Sequence, residues 1–323
     1  VTSKKPRIVL TRRLHPFALK ELQKRYEIFV HHGKIPMPKK TLLEKIKKAD
    51  GLVCFPYDVI DRTIIENAPN LKVISTYSVG FDHIDIRASK EHGIRIGYTP
   101  EILTNATADL TIALILDLLR RLSEGDRLIR EGSWKVIFGA YDYVGADLEG
   151  KRLGIFGMGR IGQAVAKRGH PFGMKIIYHS RRRLSRTLEK RLHAKFVSFE
   201  QLIRTSDVLS IHVPYTKRTQ RLVDMKVFEK MKRTSFLINT ARGKIINERD
   251  LVRALRGRLI AGAALDVFEN EPISKNHDLT KMQNVVLAPH IGSSTAETRE
   301  KMAKITIQNL ILGLEGKKMI YSV

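Results

Sequence analysis

Leu153-Gly154-Ile155-Phe156-Gly157-Met158-Gly159-Arg160-Ile161-Gly162 reads as a short apolar strand running straight into a Gly-x-Gly-x-x-Gly loop. The helix-forming run Ile161-Gly162-Gln163-Ala164-Val165-Ala166-Lys167 follows. Three glycines alone would mark little more than a turn, but strand before and helix after is the setting a dinucleotide-binding βαβ unit requires. In such a unit the first glycine permits the tight turn and the second lets the backbone approach a pyrophosphate. The third lets the helix pack closely on the strand. The helix N-terminus then offers N–H groups and a partial positive charge to the phosphates.

Outward from this loop, apolar runs at 175–178, 208–213, 235–239, 261–265 and 285–288 continue the strand series. A last helix is predicted over 297–314. Upstream, strands at 8–10, 27–30, 51–55, 71–77 and 94–98 alternate with helices at 16–26, 39–48, 63–67 and 84–92. Alternation of this kind predicts parallel sheets with helices on both faces. An Ala- and Leu-rich helix is expected over 104–122. An irregular segment, 132–150, then carries Trp134, Phe138, Tyr141 and Tyr143 as a core plug, a substrate lid or a subunit contact.

The 323 residues suggest two domains, and 43% hydrophobic residues are enough for ordinary cores. The longest apolar-rich stretch, 110–122, is interrupted by Thr111 and Asp117 and falls short of the ~18 residues a membrane span needs. Arg12 and Arg13 follow Ile8-Val9-Leu10 too soon for a signal peptide. Cys54 is the sole cysteine, so no internal disulfide can form and a cytoplasmic location is expected. The net charge of +25 would suit nucleic acid, an acidic membrane or an anionic substrate. Its cations are spread along the chain without interleaved aromatics, which favours a generally basic surface and no nucleic-acid or membrane partner. No His, Cys and carboxylate group has metal-ligand spacing.

The second cofactor-domain strand bears on which dinucleotide is bound. An NAD site usually ends this strand in Asp or Glu, which holds the ribose 2′-hydroxyl. Here Lys175-Ile176-Ile177-Tyr178-His179 ends in Ser180-Arg181-Arg182-Arg183. A hydroxyl and guanidinium groups suit a 2′-phosphate. NADP(H) is therefore expected in preference to NAD(H).

Polar residues just past other strand ends outline the chemistry. Thr240-Ala241-Arg242-Gly243 follows one strand; Asp266, Glu269 and Glu271 follow the next; Pro289-His290-Ile291-Gly292 follows the last. In the first domain, Ser78-Val79-Gly80 follows 71–77. Ligands of open α/β sheets bind beyond these ends. Hydride transfer to a ketone builds negative charge on its oxygen, which an imidazolium can protonate. A neighbouring carboxylate favours the imidazolium. An Arg can grip a 2-oxo acid, and backbone N–H groups of a turn can hold its carboxylate. Taken singly, His290 would be a structural histidine and Arg242 or Glu271 a surface charge; their joint placement favours function. His83, His170, His179, His193, His212 and His277 are read as structural.

With these motifs the chain resembles the D-isomer-specific 2-hydroxyacid dehydrogenase family over nearly its whole length. The resemblance rests on the glycine loop, Asn239-Thr240-Ala241-Arg242-Gly243, the run from Gly262 to Asp266-Val267-Phe268-x-x-Glu271-Pro272, and Pro289-His290-Ile291-Gly292. It implies two Rossmann-like domains, with a doubly wound cofactor domain (101–292) inserted into a flavodoxin-like substrate domain (1–100 plus 293–323). It implies a catalytic triad of Arg242, Glu271 and His290, with His290 as proton donor, and substrate contacts from Ser78, Val79, Gly80, Arg242 and His290. The cofactor is expected to meet Thr107, Gly157, Gly159, Arg160, Ile161, Gly162, Ser180, Arg181 and Arg182. Val213, Pro214, Thr219, Thr240, Ala241, Arg242, Asp266, His290 and Gly292 complete that set.

Within the family, Thr76-Tyr77-Ser78-Val79-Gly80-Phe81-Asp82-His83-Ile84-Asp85 is most similar to glyoxylate and hydroxypyruvate reductases. The resemblance also implies a homodimer in which the loop after Trp134 reaches the neighbouring active site. There Val136-Ile137-Phe138-Gly139-Ala140 departs from the Trp-Pro pair of many such reductases. A phosphoglycerate dehydrogenase-like activity is the alternative chemistry, although that enzyme usually appends a regulatory domain. A cofactor-sensing scaffold akin to the corepressors of this fold is the non-enzymatic alternative.

Overall fold

The computed structural model describes residues 5–323. The chain divides into two compact units: residues up to Leu103 together with Ser293–Val323, and Thr104–Gly292. The second is inserted into the chain of the first.

The first unit contains β1 (Arg7–Leu10), α1 (Pro16–Arg25), β2 (Glu27–Val30), α2 (Lys39–Ile46), β3 (Gly51–Cys54), α3 (Arg62–Glu66), β4 (Val73–Thr76), α4 (Ile86–Glu91) and β5 (Arg95–Gly97). Its sheet order is β2-β1-β3-β4-β5, all parallel, which is the flavodoxin-like arrangement. Every position of β3 and β4 is buried, as a parallel sheet covered on both faces demands.

The second unit opens with α5 (Thr104–Arg120) and α6 (Leu122–Arg130). It continues through β6 (Arg152–Phe156), α7 (Arg160–Gly169), β7 (Lys175–His179), α8 (Arg186–Arg191), β8 (Ala194–Phe196), α9 (Phe199–Thr205), β9 (Val208–Ile211) and α10 (Met225–Lys230). The series ends with β10 (Phe236–Asn239), α11 (Glu248–Arg256), β11 (Gly262–Leu265) and β12 (Val285–Leu287). The chain then returns to the first unit as α12 (Ala296–Leu314), which covers β4 there; Ser75 donates its hydroxyl to Thr306 O at 2.8 Å.

The second sheet runs β12-β11-β10-β9-β6-β7-β8, again all parallel. This is the doubly wound order extended by one strand. The strand order reverses at β6, between β9 and β7, so the glycine loop leaves the sheet at the switch point where such folds bind ligands.

Several elements differ from the sequence expectations. The helix expected over 104–122 ends at Arg120, because Arg121 takes a left-handed backbone (φ 55°) and starts α6 in a new direction. The break is held from outside: Tyr143 donates to Arg121 O at 3.0 Å, and the Arg121 guanidinium lies 4.1 Å from the Tyr143 ring centre. Phe138 stacks on the Tyr143 ring, 5.2 Å between centres. Strand β8 and helices α8, α9, α10 and α11 were not individually anticipated. Ser185 caps α8 by accepting from Leu188 N, and β8 is a short edge strand paired only to β7. Among the described residues, no helix is long and apolar enough to cross a membrane.

Candidate active site and cofactor loop

Each glycine of the loop is constrained differently. Gly157 has φ 102°, a conformation that disfavours any side chain, and a Cβ there would lie 2.7 Å from the His212 backbone. A Cβ on Gly162 would meet Gly157 O at 2.2 Å, so this glycine sets the approach of α7 to β6. A Cβ on Gly159 would meet nothing within 4 Å. Protein packing therefore does not require a glycine at 159, whereas a ligand lying against the backbone would. Gly159 is also the N-cap of α7, with no side-chain cap. The first-turn N–H groups, on Arg160, Ile161 and Gly162, begin where a helix has no acceptors of its own.

Beside this loop, β7 ends in His179. Its carbonyl accepts from Gly157 N at 2.8 Å, and its Nδ1 lies 3.0 Å from Val197 O. Ser180 donates to Arg182 O at 2.5 Å. Arg181 and Arg182 are exposed, and among the described residues neither pairs with a carboxylate. Arg183 is committed elsewhere, donating at 2.9 Å to both oxygens of Glu189. Val213 and Pro214 follow β9, where Thr219 Oγ1 donates to Pro214 O at 2.8 Å and shapes the turn.

Arg242, Glu271 and His290, the residues expected to act together, follow β10, β11 and β12. His290 Nδ1 lies 2.7 Å from Glu271 Oε2, and Glu271 Oε1 accepts from Phe268 N at 2.9 Å. His290 itself has φ 54°, a conformation unfavourable for a side chain, so something must hold it. The holder is Asp266, at the end of β11. Its two oxygens accept from Ile291 N at 2.7 Å and Gly292 N at 2.8 Å. Burial raises the Asp266 carboxyl above its usual range, opposed by those two N–H groups and by His290. Thr107 on α5 completes the clamp by donating to Gly292 O at 3.1 Å.

Arg242 follows β10 in an extended conformation, and its Nη1 donates to Ala241 O at 2.8 Å. Asn239 steadies this turn from both sides, donating to Arg242 O and accepting from Ala241 N, each at 3.0 Å. Thr240 Oγ1 lies 3.1 Å from Thr111 Oγ1 on α5. A Cβ on Gly243 would fall 1.9 Å from the Phe268 carbonyl carbon, so the Arg242 turn lies directly against the loop that carries Glu271. That loop is held again by Glu248, the first residue of α11, which accepts from Glu269 N at 2.5 Å. Arg221 grips the Glu269 side chain at 3.2 Å through two nitrogens.

These arrangements coincide with a known protein family. A family model described as D-isomer specific 2-hydroxyacid dehydrogenase, NAD binding domain, matches residues 112–292. A glyoxylate reductase of Thermococcus litoralis is 46% identical over 97% of this chain and 95% of its own length. The chain belongs to the D-isomer-specific 2-hydroxyacid dehydrogenases.

Solved structures agree with that membership. A protein of Thermus thermophilus superposes with a TM-score of 0.91 at 44% identity, covering 98% of this chain and 99% of the other. An NADPH-dependent glyoxylate/hydroxypyruvate reductase of Sinorhizobium meliloti, in complex with NADP and malonate, gives 0.86 at 29% identity over 99% and 97%. This dehydrogenase therefore reduces 2-oxo acids to 2-hydroxy acids with a nicotinamide dinucleotide.

Within the second unit of the dehydrogenase, the structure brings together His290, Glu271, Asp266, Gly292 and Thr107. Ser78, Val79 and Gly80 lie in the first unit, just past β4. There Ser78 Oγ is 2.7 Å from Thr76 Oγ1 and donates to Gly80 O at 2.5 Å. Sequence reasoning missed the supporting roles of Asn239, Glu248, Arg221 and Glu189. Only Asn239 carried a signal, as a polar residue at the end of an apolar strand.

Proposed function

We propose that this dehydrogenase reduces glyoxylate, with hydroxypyruvate as a second substrate, and draws its hydride from NADPH in preference to NADH. The observation that carries the catalytic part is the 2.7 Å contact between His290 Nδ1 and Glu271 Oε2, on a turn clamped by Asp266. With Nδ1 engaged by Glu271, Nε2 is the nitrogen assigned to deliver the proton. The second unit is assigned to the dinucleotide and the first, through Ser78-Val79-Gly80, to the substrate carboxylate.

The residues fit a dinucleotide. Gly159 has room for a pyrophosphate where a methyl group would meet no protein atom. Arg160, Ile161 and Gly162 would bind it through α7. When bound, the nicotinamide supplies the hydride. Thr107, Thr240 and Gly292 would shape its pocket, while Val213, Pro214 and Thr219 would line the adenine end. Arg242 orients the oxo acid through its carboxylate and carbonyl. His290 protonates the carbonyl oxygen as charge develops there, and Glu271 holds the imidazole in the orientation for that step.

The NADPH preference is supported by the end of β7. Ser180, Arg181 and Arg182 stand where an NAD site has a carboxylate, and among the described residues the two guanidinium groups there pair with no carboxylate. Contacts of ~1.5–3 kcal/mol each, reduced by exposure, predict at least about tenfold discrimination. Steady-state kcat/KM for a panel of 2-oxo acids, measured with each cofactor at low salt, tests both assignments. Equal values for NADPH and NADH, or no turnover of glyoxylate, would remove them.

A homodimer is proposed from two features of the second unit. An open groove of about 840 Å³ runs between α5 and α7, lined by Ile112, Leu116, Ala164 and Phe172. Ile137 and Tyr141 are 94% and 95% exposed on the aromatic loop. Large apolar side chains so exposed mark contact surfaces.

A further inference from the structure

The loop that would discriminate the cofactors has an anchor of its own. Glu189, on α8, is buried and receives three hydrogen bonds. Two come from Arg183 at 2.9 Å each and one from the Tyr178 hydroxyl at 2.6 Å. Tyr178 is fully buried in β7, and its hydroxyl accepts from Leu184 N at 2.9 Å. The segment 180–184 is thus fastened at its far end to the strand it has just left. At its near end, the His179 carbonyl accepts from Gly157, the first glycine of the phosphate loop. Between the anchors, Ser180 bonds across to Arg182 O.

A surface loop carrying consecutive arginines would ordinarily sample many conformations, and each would offer the phosphate a different geometry. Ordering it in advance lowers the entropy lost on binding. The network also sorts the arginines. Arg183 is spent on Glu189, while Arg181 and Arg182 remain exposed. The anchor stays charged through the working range, since Arg183 and Tyr178 hold the Glu189 carboxyl down to about 2.

We propose that Glu189, acting through Tyr178 and Arg183, is a positioning residue for cofactor choice, fixing the loop that presents Ser180, Arg181 and Arg182 to a ribose 2′-phosphate. This rests on the NADP(H) reading above. It adds a determinant in α8, outside the segment that would touch the cofactor.

The test is calorimetric titration with two probes, adenosine 2′,5′-bisphosphate and ADP, on the wild type, Glu189→Gln, Arg183→Gln and Tyr178→Phe. Tyr178→Phe deletes only a hydroxyl and serves as the variant least disturbing to the fold. In Glu189→Gln and Arg183→Gln, affinity for the 2′,5′-bisphosphate should fall roughly tenfold, and in Tyr178→Phe by a smaller factor. ADP affinity should stay within about twofold in all three.

If both probes weaken together, the network only supports the fold and the inference is overturned. A tighter 2′,5′-bisphosphate complex in Glu189→Gln would show that the carboxylate merely withholds Arg183 from the ligand, and would overturn it as well. Unchanged affinities have the same consequence. If the wild type itself fails to distinguish the two probes, the NADP(H) reading falls and takes this inference with it. Wild-type discrimination with unaffected variants removes only the role of Glu189.

Discussion

At the residue scale, the site depends on a hydrogen-bonded chain that no single motif displays. His290 occupies a left-handed backbone, which costs a non-glycine residue about 1–2 kcal/mol. Asp266 offsets this by accepting the next two N–H groups. His290→Gln should lower kcat for reduction by roughly 10²–10⁴-fold while dinucleotide affinity stays near wild type, if the imidazole has the role proposed for it at the carbonyl and none at the phosphates. Glu271→Gln should lower kcat with little change in dinucleotide affinity, since the imidazole loses the carboxylate 2.7 Å away that orients it. An unchanged kcat would remove Glu271 from its assigned role. Arg242, Glu271 and His290 could be singled out as candidates because each follows a strand whose apolar run can be read. The Asp266 clamp was not, because it joins residues well separated in sequence and its partners are backbone N–H groups, which carry no residue code.

At the scale of elements, strands and helices with strong periodicity were read to within a few residues, and the glycine loop fell between the right two elements. The misses have physical causes. Arg121 breaks a helix without Gly or Pro, under the pull of Tyr143 from a distant loop. Ala194-Lys195-Phe196 is too short to show alternation and becomes a strand only because β7 pairs with it. The glycine loop yields a contrast that separates packing from binding. Gly162→Ala drives a methyl group against Gly157 O and should destabilise the fold by ~1–3 kcal/mol. Gly159→Ala meets no protein atom and has an ordinary φ of −74°. Its stability should stay within about 1 kcal/mol of wild type, since the entropy gain is offset by a poorer N-cap, while dinucleotide affinity falls roughly tenfold or more. Denaturation and cofactor titration on the same samples check both. Equal effects on stability would contradict the view that Gly159 serves the ligand.

At the scale of the whole molecule, association and charge become the measurable properties. Sedimentation at micromolar concentration should give about twice the mass of the 36.8 kDa chain, and a monomer would remove the dimer proposal. The net charge of +25 sets up self-repulsion, so raising salt from ~0.01 to ~0.15 M should stabilise the fold, as the Debye length contracts from ~30 to ~8 Å. Acid should act in the opposite direction, through identifiable groups. His212 follows β9, with its ring 2.8 Å from Ser210 Oγ, and burial pushes it down to about 3. Its unfolded value is ~6.5. Above ~6.5 both states are neutral and the fold is at full advantage. As pH falls from ~6.5 toward about 3, the unfolded chain takes up a proton that the folded chain refuses, and stability is lost at up to ~1.4 kcal/mol per pH unit. Glu189 adds to this only below its ordinary value of 4.5, where the unfolded carboxylate takes up a proton that the folded one refuses until about 2. Urea denaturation at pH 8, 7, 6 and 5 should therefore show stability falling below pH ~6.5, before most carboxylates titrate. In His212→Gln, which retains a hydrogen-bonding group for Ser210, the loss between pH ~6.5 and ~5 should largely disappear. If the variant kept the wild-type slope, the early acid sensitivity would belong to the growing net charge, and added salt rather than the substitution would abolish it.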